Sequence, residues 1–118
     1  MQNLWPVLLL IIYAVGLSAG QILFKLASNE MVGQAGFRKF LILLTSVPFY
    51  SGVILYGFIT IFYVWLLTFI PLSRAYPFTA VALGITPVLS ALVFNESLST
   101  SYIAGIVLIG FGIILLQR

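Results

Sequence analysis

The sequence predicts an all-α integral membrane protein: one domain, residues 1–118, of four membrane-crossing helices, with both ends of the chain on one side and assembly as a dimer. Three observations carry this expectation. Only 6% of the residues are charged and 63% are hydrophobic, whereas a soluble domain carries about 25% charged residues. Apolar runs near the roughly 20 residues that a bilayer crossing needs recur along the chain. Within the first three runs the polar residues recur at helical spacing, three or four apart.

The first helix is expected over about 4–27, with Asn3 as its cap and Pro6 tolerated in its first turn. The polar, glycine-containing stretch "SNEMVGQAGFRK" reads as a loop. A second helix over about 40–69 is longer than a bilayer needs, so it is tilted or starts in the interface, and Pro48 is a candidate kink. "IPLSR" reads as a tight turn, and the third helix, about 73–94, takes Ser73 as its cap. Pro77 falls in its first turns, while Pro87 is interior and frees the carbonyl near Leu83, which bends the helix. After "NESLSTS", Ser99 or Thr100 caps a fourth helix over about 102–116.

Composition narrows the chemistry. Without cysteine or histidine there is no disulfide, thiolate metal site, thiol nucleophile or imidazole base. Two acidic residues, Glu30 and Glu96, are too few for a carboxylate metal cage, so neither metal nor cofactor is expected, and no enzyme activity. The scattered net charge of +3 gives nucleic-acid binding no support. The start "MQNLWP" has no basic residue and the first apolar run is full length, so a cleaved signal peptide is not expected. The cations divide almost evenly, Arg74 and Arg118 on one side against Lys25, Arg38 and Lys39 on the other. Charge therefore specifies the orientation poorly. This follows equally from insertion in both directions, from a partner that sets the orientation, or from a short chain with few charges to count.

Three polar stripes stand out. On the first helix Ser18, Gln21, Lys25 and Ser28 share one face. Lys25 near the helix end can snorkel as an interfacial anchor, but an anchor needs no polar trail leading inward through Gln21 and Ser18. On the second helix Tyr56, Thr60 and Tyr63 repeat the pattern, extended by Phe49 and Gly52; on the third, Tyr76, Thr79, Thr86 and Ser90 do so. Such stripes either make interhelical hydrogen bonds in a packed core or line a path filled by water or ligand. The fourth helix has no polar residue beyond its first turn. Gly105 and Gly112 share a face with Gly110 beside them, which reads as a packing or dimerisation surface or as the ordinary glycine content of membrane helices. Four packed helices enclose side chains rather than a passage. A path therefore needs a second subunit, held through Gly105 and Gly112, to supply its far wall.

"AGQILFKLAS", "IPLSRAYPFTAV", "FNESLS" and "AGIVLIGFGIILL" resemble the drug/metabolite transporter superfamily, in its four-helix branch of small multidrug resistance proteins and EamA-like flippase subunits. The resemblance covers nearly the whole chain, with Ala75-Tyr76-Pro77 and the Glu96 turn its more specific parts. Small multidrug resistance proteins exchange protons for cationic aromatics through a glutamate two turns before the lysine. Counting back from Lys25, that position here is Leu17, which argues against proton antiport. The pattern is closer to subunits that flip undecaprenyl-phosphate-linked aminoarabinose. That resemblance implies a multi-pass protein of the bacterial inner membrane that moves a polyprenyl-phosphate sugar between leaflets for envelope modification. It also implies a homodimer or a heterodimer with a related four-helix chain.

The residue chemistry suits such a lipid. Lys25 meets a phosphate as a point charge, Gln21 and Ser18 continue its solvation inward, and Arg74, on the opposite side, receives it by bidentate contact. The role of Arg74 rests on its charge, not on the resemblance. Tyr56, Tyr63 and Tyr76, with Thr79, are the candidates to meet the sugar. Glu96 is a turn residue or a partner for Lys25. The rival functions are an exporter or importer of small cationic or polar solutes, and a non-transporting membrane subunit that organises partner enzymes.

Overall fold

The computed structural model describes residues 4–117. The Asn3 cap and Arg118 lie outside them. Helix α1 (Trp5–Met31) begins with Pro6 in its first turn and no side-chain cap. It runs four residues beyond the expected end at 27, because "SNEM" contains no breaker. It stops where Val32 turns extended and Gly33 takes φ 85°, a conformation that glycine adopts without a Cβ penalty.

The expected helix over 40–69 is two helices. α2 (Arg38–Leu43) is short and ends before Ser46, and α3 (Val47–Leu67) restarts from it. Pro48 is the reason: it has no N–H to give to a carbonyl one turn back. The chain instead extends at Ser46, ψ 121°, whose Oγ accepts from Phe49 N at 3.3 Å. Pro48 thus opens α3 rather than kinking it. On α2, Phe37, Phe40, Leu41 and Leu44 stay exposed beside Arg38 and Lys39, the composition of a segment seated at a membrane surface.

The third run also divides. α4 (Leu72–Ala75) is capped by Pro71 and not by Ser73, which lies inside its first turn. A 3₁₀ segment (Tyr76–Val81) follows, then α5 (Ala82–Phe94). Pro77 cannot donate to the carbonyl four residues back, so the backbone tightens to the 3₁₀ form at that point. Pro87 lies inside α5. Asn95 ends α5 in the left-handed region, φ 57°. Ser99 then caps α6 (Thr100–Leu116) by accepting from Tyr102 N at 3.0 Å.

Three segments, Trp5–Met31, Val47–Leu67 and the nearly continuous Leu72–Phe94, are long and apolar enough to cross a membrane. This is the organisation of a multi-pass membrane protein. α6 is equally apolar but has 17 residues, the short end of the crossing range.

α1 is the central helix. It packs along α3 on one side and α5 on the other, and α6 leans mainly on the 3₁₀ segment. The core gathers near the α3–α4 turn from Leu10 and Tyr13 of α1, Leu66 and Ile70 of the α3 end, and Ala75 and Phe78. Beside it, Trp5 stacks on Phe69 with centroids 5.1 Å apart, and Trp65 meets Phe69 edge-on at 5.1 Å. Tryptophans gather in this way at membrane–water boundaries.

The α1–α3 contact is built on glycine. A Cβ on Gly20 would sit 2.9 Å from the Tyr56 ring, and one on Gly52 would sit 2.8 Å from the Phe24 ring. Each helix therefore seats an aromatic ring of the other over a glycine, and the two rings stack at 5.1 Å. Gly16 is pressed against Ile59 in the same way. By contrast, Gly105, Gly110 and Gly112 of α6 face nothing within 4 Å among the described residues. Packing within the chain thus rests on Gly16, Gly20 and Gly52 and not on the α6 glycines.

Candidate functional site

The polar stripes meet around Tyr56. Its ring lies over Gly20, which brings its hydroxyl to α1. There the hydroxyl accepts from Gln21 Nε2 at 2.6 Å and donates to the Leu17 carbonyl at 3.1 Å. One turn toward the N-terminus of α1, Ser18 is fully buried, and Thr86 Oγ1 of α5 donates to its Oγ at 3.0 Å. These bonds tie α1 to α3 and to α5, in surroundings where polar groups have few other partners.

Between these elements lies a cavity of about 340 Å³, lined by Leu17, Gln21, Tyr56, Thr79, Leu83, Thr86, Pro87 and Tyr102 among others. Thr79 Oγ1 is buried there with no hydrogen-bond partner among the described residues. An unpaired hydroxyl of this kind costs about 1–3 kcal/mol. Pro87, which also lines this cavity, has no N–H to give to the Leu83 carbonyl one turn back.

A second cavity of about 530 Å³ shares Thr86, Pro87 and Tyr102 with the first and reaches the α5–α6 turn through Ser90, Glu96, Ser97 and Ser99. Ser90 Oγ donates to Glu96 Oε1 at 2.6 Å. Glu96 is therefore held at the turn by Ser90, and does not pair with Lys25. On the other flank an apolar slot of about 300 Å³ separates α5 from α6, lined by Gly84, Ile85, Ile106, Ile109, Gly110 and Ile113 with Ala80 and Val81.

The expected site residues divide among several places. Gln21, Tyr56 and Thr79 share the first cavity. Ser18 lies behind its wall, sealed by Thr86. Lys25 is exposed one turn past Gln21 and lines none of these cavities; its carbonyl accepts from Ser28 Oγ at 2.8 Å. Tyr63 packs into the core, stacked on Tyr13 at 4.6 Å, with its hydroxyl buried and without a partner among the described residues. Thr60 is exposed and donates to the Tyr56 carbonyl of its own helix at 2.7 Å. Tyr76 is 64% exposed. Arg74 is exposed at the far end of the molecule, in a groove with Pro6, Phe69, Pro71 and Gln117, whose amide donates to the Arg74 carbonyl at 3.1 Å.

Two features of the site escape a reading by stripes. Tyr102 lines both cavities from the first turn of α6, where one tyrosine at a helix start carries no periodic signal. Gly16 and Gly20, which bring α3 up to α1, do carry one: their spacing is the small-xxx-small pattern of close helix contact in lipid. Among the described residues no group of His, Cys, Asp or Glu could hold a metal ion.

Comparison with family models, with curated proteins and with solved structures returns no match.

Proposed function

We propose that this chain is a four-crossing subunit of a membrane flippase, which moves a polyprenyl-phosphate-linked sugar across the bacterial inner membrane. The observation that carries the reading is the cavity bounded by Gln21, Tyr56 and Thr79. Polar side chains within a membrane span are costly, and they mark substrate paths more often than lipid-facing surfaces. Here they border empty volume, and that volume adjoins a second polar cavity leading to a helix end.

The chemistry follows from the cavity walls. Gln21, Tyr56 and Thr86 offer hydrogen bonds to a sugar. Lys25, exposed past Gln21, attracts the phosphate to the rim as a point charge. Arg74 stands at the opposite end of the molecule, where a phosphate that has crossed would arrive. A single chain does not supply the far wall of a passage, so a second subunit, identical or related, closes it, and the Gly105 and Gly112 face, which meets nothing within 4 Å among the described residues, is offered for that contact. Both ends of the chain then lie on one side, in keeping with the shared groove of Pro6 and Gln117.

Proton-coupled export of cations is the weaker reading. The position that an antiport carboxylate would take is Leu17, whose carbonyl is already held by Tyr56.

The test is reconstitution. Purified protein in vesicles should move a fluorescent polyprenyl phosphate between leaflets, and Lys25→Ala and Gln21→Ala should each slow it at least tenfold while leaving membrane insertion intact. Wild-type rates equal to those of protein-free vesicles would sink the flippase reading. Unimpaired Lys25→Ala would remove Lys25 from it.

A further inference from the structure

A lipid bound by its headgroup in the Gln21–Tyr56 cavity must put its chain somewhere, and the walls of the cavity differ in how tightly they close. The α1–α3 side is shut by the Gly20–Tyr56 and Gly52–Phe24 contacts. On the α1–α5 side the two helices pack together and are tied by the Ser18–Thr86 bond. The α5–α6 side is not shut. Leu83 and Tyr102, which line the polar cavity, also line a small pocket with Gly105, Ile106 and Ile109. That pocket shares Ile106 and Ile109 with the apolar slot between the helices. Polar cavity and apolar slot thus lie on either side of this small pocket, with Leu83 and Tyr102 shared on the polar flank and Ile106 and Ile109 on the apolar one.

The geometry points to the α5–α6 slot as the lateral portal through which the aliphatic chain of the transported lipid leaves the polar cavity. The inference rests on the flippase reading and names the part of the site that takes the chain. Lipid tails and an aliphatic slot are equally apolar, so the slot gives the chain no net attraction. What it supplies is room for a chain to remain in hydrocarbon while the headgroup is among hydroxyls and amides. Glycine makes that room. A Cβ on Gly84 would approach Ile106 to 3.2 Å, and Gly110 faces open space. A larger side chain at Gly110 therefore narrows the slot with no contact in the folded chain to displace.

The experiment uses the full chain in vesicles with a polyprenyl phosphate that carries a photoreactive diazirine along its chain. Illumination should label Ile106, Ile109 or Ile113, and an excess of unlabelled polyprenyl phosphate should remove that label by at least fivefold while sparing Leu108 and Phe111 on the outer face. Uniform labelling of both faces, unaffected by competitor, would overturn the portal whatever the transport result. In the flipping assay Gly110→Leu should slow a long-chain polyprenyl phosphate at least tenfold and a ten-carbon isoprenyl phosphate less than twofold. Leu108→Ala, on the exposed outer face and bordering neither cavity nor slot, is the folding control. Equal slowing of both lipids by Gly110→Leu, or of neither, refutes the portal. Failure of the wild type to move either lipid refutes the flippase, and the competed labelling then decides the slot alone.

Discussion

The α1–α3 contact and the α5–α6 contact use the same residue type to opposite ends. Between α1 and α3, each glycine receives a ring: Tyr56 over Gly20, Phe24 over Gly52. The rings stack, and Tyr56 is further fixed by Gln21 and the Leu17 carbonyl. Between α5 and α6, the glycines face Ile106 or open space, and a slot remains. In lipid no hydrophobic force pulls helices together, so contact depends on shape and hydrogen bonds. Glycine opposite an aromatic ring supplies shape. Glycine opposite short aliphatic side chains supplies a gap. The first region is a rigid frame and the second a seam.

This contrast can be broken most sharply at the frame. Gly20→Leu or Gly52→Leu drives a side chain into a ring that its stacking partner holds in place. Overpacking of this kind costs about 1–3 kcal/mol. Unfolding in a detergent titration should report that loss, while Gly110→Leu, beside the open slot, should stay within about 0.5 kcal/mol of the parent. Similar losses at all three positions would show that α6 is as tightly packed as α3 and would erase the distinction.

A smaller change is expected from Tyr56→Phe. The ring still fills the Gly20 seat, but both bonds to its hydroxyl go and the Gln21 amide is released into the cavity. Interhelical hydrogen bonds in membranes average about 0.6 kcal/mol each, so losing these two should cost about 1 kcal/mol in the same titration. A larger drop, comparable to Gly20→Leu, would mean that the hydroxyl and not the ring fit holds α1 to α3.

The least effect is expected from Ser18→Ala, which removes the Thr86 bond between α1 and α5. Interhelical hydrogen bonds in membranes average about 0.6 kcal/mol, so stability should fall by about that amount. Thr86, which also borders the cavity, is then free to turn toward it. If the α1–α5 wall is sealed by this bond, chain-labelled lipid should begin to mark α1 in this variant. Labelling confined to α6 as before would show that packing alone closes that wall.

Much of the fold was legible because its signals are local. Composition and run length identify membrane-crossing helices without reference to any partner. Prolines and caps act within one turn, so Pro6, Pro87 and Ser99 stand where the chain predicts. Pro48 and Pro77 are equally visible in the sequence, but their effect depends on what the neighbouring residues offer in place of the lost bond. Each interrupts a run by removing one N–H, which gives a capped restart at Ser46 and a 3₁₀ segment at Tyr76 in place of a kink and a plain first turn.

Periodicity could say that Ser18, Gln21 and Lys25 share a face, because 3.6 residues per turn is a property of one helix. It could not say that Ser18 would be sealed, Gln21 left beside a cavity and Lys25 exposed. That division depends on where neighbouring helices end and how far they stand off. Those distances are set by side chains far apart in sequence, such as Gly20 with Tyr56 and Gly84 with Ile106. The sequence by itself determined the medium, the helices and most of their ends, because each follows from the chemistry of adjacent residues. Only the tertiary structure decided which polar groups share a space and which seam stays open, because empty volume is a property of several helices at once and is written in none of them singly.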